Sequence, residues 1–202
     1  MTLNVVGVVC ALASEARHLG PVDGTLVRVS GMGMAAATRC ATSLVDEGAT
    51  ALVSWGMAGG LDPRLTPGTI FLPDTVISTT GVALGTAGPW RERLGAAVSA
   101  LHPVIRGRLL TSVRAVGSLA DKATLFRETG AVAVDMESSA VGEVAQSHQL
   151  PFIAVRVIVS RGWKDIAMVI GVHKNSKRLL AHAVDARRLP PFFLGLHQSR
   201  KQ

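Results

Sequence analysis

Short apolar stretches rich in β-branched residues recur from one end of the chain to the other, separated by segments in which apolar residues repeat at helical spacing. The strand-like stretches are Asn4–Ala11, Thr25–Ser30, Ala51–Ser54, Thr69–Ser78, Arg108–Thr111, Ala131–Val134 and Pro151–Val159. The helical spacing covers Ser14–Leu19, Met34–Glu47, Trp90–Leu101, Leu119–Thr129 and Glu137–Gln149. Strands alternating with helices of this length predict an α/β fold: a three-layer α/β/α sandwich around a central, largely parallel (mixed) twisted sheet. The stretch Phe152–Val159 is apolar throughout except for Arg156, which places it at the sheet centre, buried on both faces.

The 202 residues fit one domain over 1–188, followed by a basic, partly apolar tail over 189–202 interrupted by Pro190-Pro191. Only 17% of residues are charged and 48% are hydrophobic, a composition that excludes disorder over most of the length. Cys10 and Cys40 lie in apolar stretches and read as buried thiols of a reducing compartment. The histidines are scattered without ligand spacing, so no metal site is expected. No apolar run reaches the roughly 20 residues that span a bilayer, and Asn4–Ala11 reads as a first strand rather than a signal peptide. A cytoplasmic protein is expected. The net charge of +7 is concentrated after residue 160. Only Trp163, Phe192 and Phe193 fall among these charges, too few for a base-stacking surface, which argues against nucleic-acid binding. Contact with an anionic membrane and a plain solvated tail both remain open.

Two segments carry the chemistry. Ser54-Trp55-Gly56-Met57-Ala58-Gly59-Gly60 follows a strand and lets a ligand approach the main chain closely. Ala133-Val134-Asp135-Met136-Glu137-Ser138 puts carboxylates and a thioether where a strand yields to a helix. Together they predict a small-molecule pocket at the strand ends. Gly31-Met32-Gly33 opens a helix at Met34, a place suited to a polar ligand. It lacks the third glycine of a dinucleotide fingerprint and does not follow the first strand, so no nicotinamide cofactor is expected. Ser138-Ser139 has no G-x-S-x-G context for serine-hydrolase chemistry.

At these residues the chain resembles the nucleoside phosphorylase and nucleosidase superfamily, which includes methylthioadenosine/adenosylhomocysteine nucleosidases. The resemblance runs over residues 4–160 through Val6-Gly7-Val8-Val9 with Glu15, Ser30-Gly31-Met32-Gly33, Trp55–Gly60, Pro67-Gly68-Thr69-Ile70, Val134–Ser138 and Val155-Arg156-Val157-Ile158. Within the superfamily it is most similar to the hopanoid-associated branch, often labelled a phosphorylase and thought to remove adenine from adenosylhopane. The resemblance implies cleavage of the N-glycosidic bond of an adenine nucleoside, with no cofactor and with inorganic phosphate as an optional co-substrate. It also implies a homo-oligomer.

Such cleavage needs an acid near the base, a carboxylate near the ribose and a positioned nucleophile. The resemblance assigns Glu137 to the ribose hydroxyls and the developing positive charge, and Glu15 to activation of the attacking water. Met136 would pack on the sugar, while Gly33, Met57, Ala58, Gly59, Gly60, Asp135 and Ser160 would complete the substrate site. Ala13-Ser14-Glu15-Ala16-Arg17 replaces the phosphate loop of the phosphorylases, and Met57 replaces a hydroxyl residue of many relatives. Both departures favour hydrolysis, although Arg17 or Arg28 could receive phosphate. Relatives carry an aspartate after the last strand that assists purine protonation. Here that place holds Ser160, or Arg161 with one insertion, and Asp165 lies a few residues on. Two other readings follow: a weakened relative that binds adenine nucleosides without efficient turnover, and a general α/β protein with a coincidental glycine loop.

Overall fold

A computed structural model describes residues 5–159 and 176–187. Ser160, Arg161, Asp165 and the 189–202 tail lie outside the described residues. In chain order the elements are β1 (Val6–Cys10), α1 (Ala13–Arg17), β2 (Thr25–Val29), α2 (Met34–Asp46), β3 (Ala51–Gly60), β4 (Ile70–Phe71), β5 (Thr75–Ser78) and β6 (Ala83–Gly85). There follow α3 (Gly88–Ser99), β7 (Val104–Ile105), β8 (Arg108–Thr111), α4 (Leu119–Thr129), β9 (Ala131–Asp135), α5 (Ser138–Ser147), β10 (Phe152–Val159) and α6 (Ser176–Arg187).

The strands form one mixed sheet in the order β6-β5-β8-β9-β3-β10-β4-β7, with β1 on β3 and β2 on β1. Alternate residues of the central strands feed two apolar layers. Val6, Val8, Cys10, Ala51, Val53 and Trp55 meet Trp90, Leu94 and Val98 of α3 and Leu179, Leu180 and Ala183 of α6. Val9 and Leu52 face the opposite way, onto Ala37, Ala41 and Leu44 of α2 and Ala140, Val141 and Val144 of α5. The architecture is therefore α/β with helices on both faces, and β10 is buried along nearly its whole length. Trp90 satisfies its buried indole N–H by donating to the Ala183 carbonyl at 2.6 Å, which ties α6 to α3.

Three elements differ from the sequence reading. The Thr69–Ser78 stretch divides into β4 and β5 at Leu72-Pro73-Asp74, where proline removes a ladder donor. The short strands β6 and β7 carry too few residues to show a period. β3 does not stop at Ser54 but runs through the glycines to Gly60, because β10 pairs with it in parallel from Leu52 to Gly59.

On its other edge β3 changes partner. Its first half pairs in parallel with β1, ending at Cys10 opposite Trp55. Its end pairs antiparallel with β9, Gly59 opposite Val134 and Gly60 opposite Ala133. Between them, at Gly56 to Ala58, the sheet forks, and a fork at strand ends is where α/β sheets open a crevice.

One ion pair pins this fork. Arg156 stands opposite Gly56 in the β10–β3 register. Its Nη2 donates to Ser54 Oγ at 2.6 Å, to Asp135 Oδ2 at 2.7 Å and to Ser138 Oγ at 2.8 Å, and its Nε donates to Asp135 Oδ2 at 2.9 Å. Thr111 Oγ1 donates to the other Asp135 oxygen at 2.8 Å, and the Ser139 N–H donates to that hydroxyl at 2.9 Å. The network joins β3, β8, β9, β10 and the start of α5, and both charged groups are buried. Removing one partner strands the other charge in a medium that cannot solvate it. Arg156→Met is therefore expected to cost about 3–5 kcal/mol of unfolding free energy, read by urea denaturation. Pairing it with Asp135→Leu recovers much of that loss, since no lone charge remains. A single variant as stable as the wild type would show that the pair does not hold the fork.

Candidate active site

The fork opens into a cavity of about 290 Å³. Its walls come from Ala11, Leu12 and Glu15 after β1, from Met57, Ala58 and Gly59 of β3, from Val134, Asp135, Met136 and Glu137 where β9 passes into α5, and from Val159 ending β10. Met32, Arg114, Ala115, Val116 and Lys122 complete it.

Glu15 reaches the cavity because the chain turns into α1 directly after β1. Its side chain is only 3% exposed. One carboxylate oxygen accepts the Leu12 N–H at 3.0 Å and the other accepts the Met57 N–H at 3.1 Å. The carboxylate lies over the backbone of β3 at a residue without a side chain: a Cβ on Gly56 would stand 2.6 Å from Glu15 Oε1. Glu137 is the N-cap residue of α5 and is likewise buried. Its Oε1 accepts the Gly33 N–H at 2.8 Å, and its Oε2 accepts the Met136 N–H at 3.3 Å. Gly33 can aim that N–H at the carboxylate because its φ of 92° lies in a region that favours glycine.

Burial pushes both carboxyls above the ordinary glutamate range. For Glu15 the N–H donors at Leu12 and Met57 and the charge of Arg156 pull the other way, while Glu137 adds to the rise. For Glu137 the Gly33 N–H and Arg156 oppose the rise, while Asp135 adds to it. Two acids thus share a desolvated space with a single buried guanidinium beneath them. They suit a reaction needing a base and a second negative charge at one carbon.

Glu15, Glu137, Met57, Ala58, Gly59 and Met136 are brought together around the cavity. Three expected substrate contacts are placed differently. Gly60 points away from it, where a Cβ would meet Ile158 at 3.4 Å and Leu65 at 3.7 Å, and it lines a neighbouring cavity of about 470 Å³. Successive strand residues face opposite sides, so Gly59 and Gly60 cannot both floor one hollow. Asp135 borders the cavity, but both its oxygens are engaged by Arg156, Thr111 and the Ser138 N–H. Gly33 acts through Glu137 and is not among the wall residues. Ser160 lies outside the described residues. Arg17 and Arg28 do not reach the cavity, and Arg28 pairs on the surface with Glu47 at 2.7 Å.

Sequence reasoning assigned no role to three residues. A lone arginine within the apolar Phe152–Val159 run was the signal for the Arg156 network, since a buried charge requires a partner. Arg114 and Lys122 carry no such mark. Lys122 sits in the first turn of a helix of low amphipathicity, where a lysine reads as solvated surface, yet it is 9% exposed. Cys10 is buried and Cys40 half-buried, both as free thiols. Among the described residues no cluster of three or more His, Cys, Asp or Glu could hold a metal ion, and no helix is long and apolar enough to cross a membrane.

This architecture and site can be set beside known proteins. The 5′-methylthioadenosine/S-adenosylhomocysteine nucleosidases of Mycobacterium bovis and Mycobacterium tuberculosis are each 26% identical over 76% of this chain and 84% of theirs. Among solved structures, a Helicobacter pylori methylthioadenosine nucleosidase mutant with 5′-methylthioadenosine in its active site matches with a TM-score of 0.80 at 18% identity, covering 90% of this chain and 98% of that one. The native futalosine hydrolase of the same organism also gives 0.80, at 19% identity over 92% and 99% of the two chains. The Neisseria meningitidis nucleosidase in complex with methylthio-immucillin-A gives 0.79 at 20% identity, over 91% and 100%. Similarity at this level establishes the shared fold. The model of the phosphorylase superfamily matches residues 14–186, and the chain belongs to that superfamily.

Proposed function

We propose that this protein is a nucleosidase that hydrolyses the N-glycosidic bond of an adenine nucleoside. The observation that carries the reading is the convergence of Glu15 and Glu137 on one cavity at the fork of the sheet. Relatives named for methylthioadenosine and adenosylhomocysteine hydrolysis, and a fold shared with futalosine hydrolase, support the adenine nucleoside as substrate class. Glu137 accepts hydrogen bonds from the ribose hydroxyls and offsets the positive charge that grows on the sugar as the base departs. Glu15 takes a proton from the water that attacks the anomeric carbon. Met136 and Met57 pack on the sugar, and Ala58 and Gly59 let the ligand lie against the main chain.

Water is the nucleophile in this reading. Neither Arg17 nor Arg28 borders the cavity, and although Arg114 and Lys122 do, the two carboxylates that flank the reacting carbon would repel a dianion there. The 5′ substituent is apolar. Leu12 and the 68% exposed Met32 line the cavity, which supports the sequence's likeness to the adenosylhopane-cleaving branch. A substrate of that kind resides in a bilayer, and the basic 189–202 tail would meet its anionic surface. The pocket would be completed in a homo-oligomer.

Adenine release from adenosine, methylthioadenosine and adenosylhopane, followed by chromatography with and without phosphate, tests the reading. Free ribosyl product in both conditions is expected, and a 1-phosphate formed only with phosphate would instead make the enzyme a phosphorylase. Glu137→Gln is expected to abolish release with the fold intact, and Glu15→Gln to lower kcat by about 10²–10⁴-fold. Full activity in either variant removes that residue from the mechanism. Gly56→Ala, which places a methyl group where the Glu15 carboxylate lies, should lower kcat in the same direction.

The pH profile follows from the same geometry. The base works ionised, and desolvation raises the pH at which Glu15 takes up its proton above the ordinary 4.5. Acidification therefore switches the enzyme off at a pH above that value. The rise in Glu137 moves the limb the same way. A limb of kcat/KM at or below the ordinary value would show that neither acid is the base.

A further inference from the structure

The reaction just proposed also needs a proton for the departing purine, and neither Ser160 nor Arg161, the two candidates for the place where the resemblance implies an acid, has a carboxyl to give. In the wall of the same cavity a different donor is built in. Lys122 Nζ lies 3.9 Å from where a Cβ of Gly59 would stand. Around it three strands lie abreast. Gly59 is paired with Val134 on one side and with Val159 on the other, and both valines line the cavity together with Val116. An apolar slot of this width, floored by a residue without a side chain, suits a flat heterocycle.

The cavity is polarised along β3. Glu15 sits against Gly56 and Met57 and Lys122 approaches Gly59, so the carboxylate and the ammonium border different parts of one cavity. With the sugar at the carboxylate end, the ring nitrogens fall at the ammonium end.

Resting on the nucleosidase reading, the geometry points to Lys122 as the catalytic acid of this enzyme, donating its ammonium proton to a ring nitrogen of the leaving adenine. As the glycosidic carbon–nitrogen bond breaks, its electron pair passes into the purine. The purine takes the proton from Lys122 and leaves as neutral adenine. Water adds to the anomeric carbon and gives its proton to Glu15. Exchange with solvent returns that proton from Glu15 and one to Lys122, so nucleoside and water become adenine and free sugar. Arg114, the other cationic wall residue among those described, is exposed, and a guanidinium does not release its proton near neutral pH. A lysine ammonium carries a proton it can transfer.

The test compares two leaving groups. Methylthioadenosine needs a proton on its base, whereas 4-nitrophenyl β-D-riboside releases a phenolate that departs unaided. In the full-length chain, Lys122→Met is expected to lower kcat/KM for methylthioadenosine by about 10²–10⁴-fold and to leave the nitrophenyl riboside cleaved at the wild-type rate. Lys122→Arg, which keeps the charge without a transferable proton, should be impaired on the nucleoside alone. If Lys122→Met does not reach the wild-type circular dichroism spectrum, Lys122→Gln replaces it in the same comparison. Equal losses on both substrates, or no loss on either, overturn the role of Lys122 while leaving the nucleosidase reading intact. A wild type that cleaves only the nitrophenyl riboside overturns the role of Lys122 and preserves glycosidic cleavage. A wild type that cleaves neither overturns the nucleosidase reading and the role of Lys122 with it.

Discussion

The buried pair of Arg156 and Asp135 decides where everything else in the site can stand. Arg156 belongs to β10 and Asp135 to β9, with β3 between them, so the guanidinium spans the intervening strand and takes Ser54 into the same bond set. Asp135 is thereby held in position and orientation. Two residues later the chain reaches Glu137 and α5 begins, its first N–H groups caught by Asp135 and Thr111. A strand end carrying a fixed anchor and a helix start carrying fixed donors leave Glu137 little choice of direction. A buried ion pair is weak as a source of stability but strong as a constraint on geometry, because every alternative arrangement leaves a charge unpaired.

The same strand explains the cavity. β3 keeps β10 along its whole useful length while exchanging β1 for β9 on the other edge. The exchange falls at Gly56 to Ala58, where Gly56 has no side chain and Ala58 only a methyl group. The Glu15 carboxylate fills part of that gap and is held by the Met57 N–H, a donor that neither β1 nor β9 uses. Glycine at residue 56 is a matter of space, since a methyl group there would overlap the carboxylate.

Much of this was legible in the sequence, and the illegible part has a common cause. The near-continuous apolar runs of β1 and of β10, the latter broken only by Arg156, announce themselves, since the lack of alternation reports burial on both faces. Glu15 and Glu137 stood out as acids beside strand ends. The glycines of β3 read as a loop because local conformational freedom says nothing of the strand that will pair beside them. Asp135 read as a substrate contact because a carboxylate near a pocket looks the same whether or not an arginine from another strand has claimed it. Gly60 was grouped with Gly59 by adjacency, although neighbours on a strand face opposite ways. Lys122 was invisible for the same reason as Asp135: its burial is a property of the wall it completes, contributed by β3, β9 and β10. What one sequence hides is the identity of the partner across space.

Charge in the cavity is balanced, and the balance bears on how the site can work. Two acids withdrawn from water and facing the same space would by themselves be driven to take up protons, and a protonated Glu15 could accept nothing from water. Arg156 counters this from below: it favours the ionised form of both glutamates, although its own bonds go to Asp135. The backbone N–H groups of Leu12, Met57 and Gly33 add to the same effect at no cost in net charge. The ionised glutamates are thus sustained by fixed donors, which need not reorganise when positive charge appears on the sugar. The ion pair that fixes the fork therefore also sets how far the acids can be desolvated before they cease to be bases.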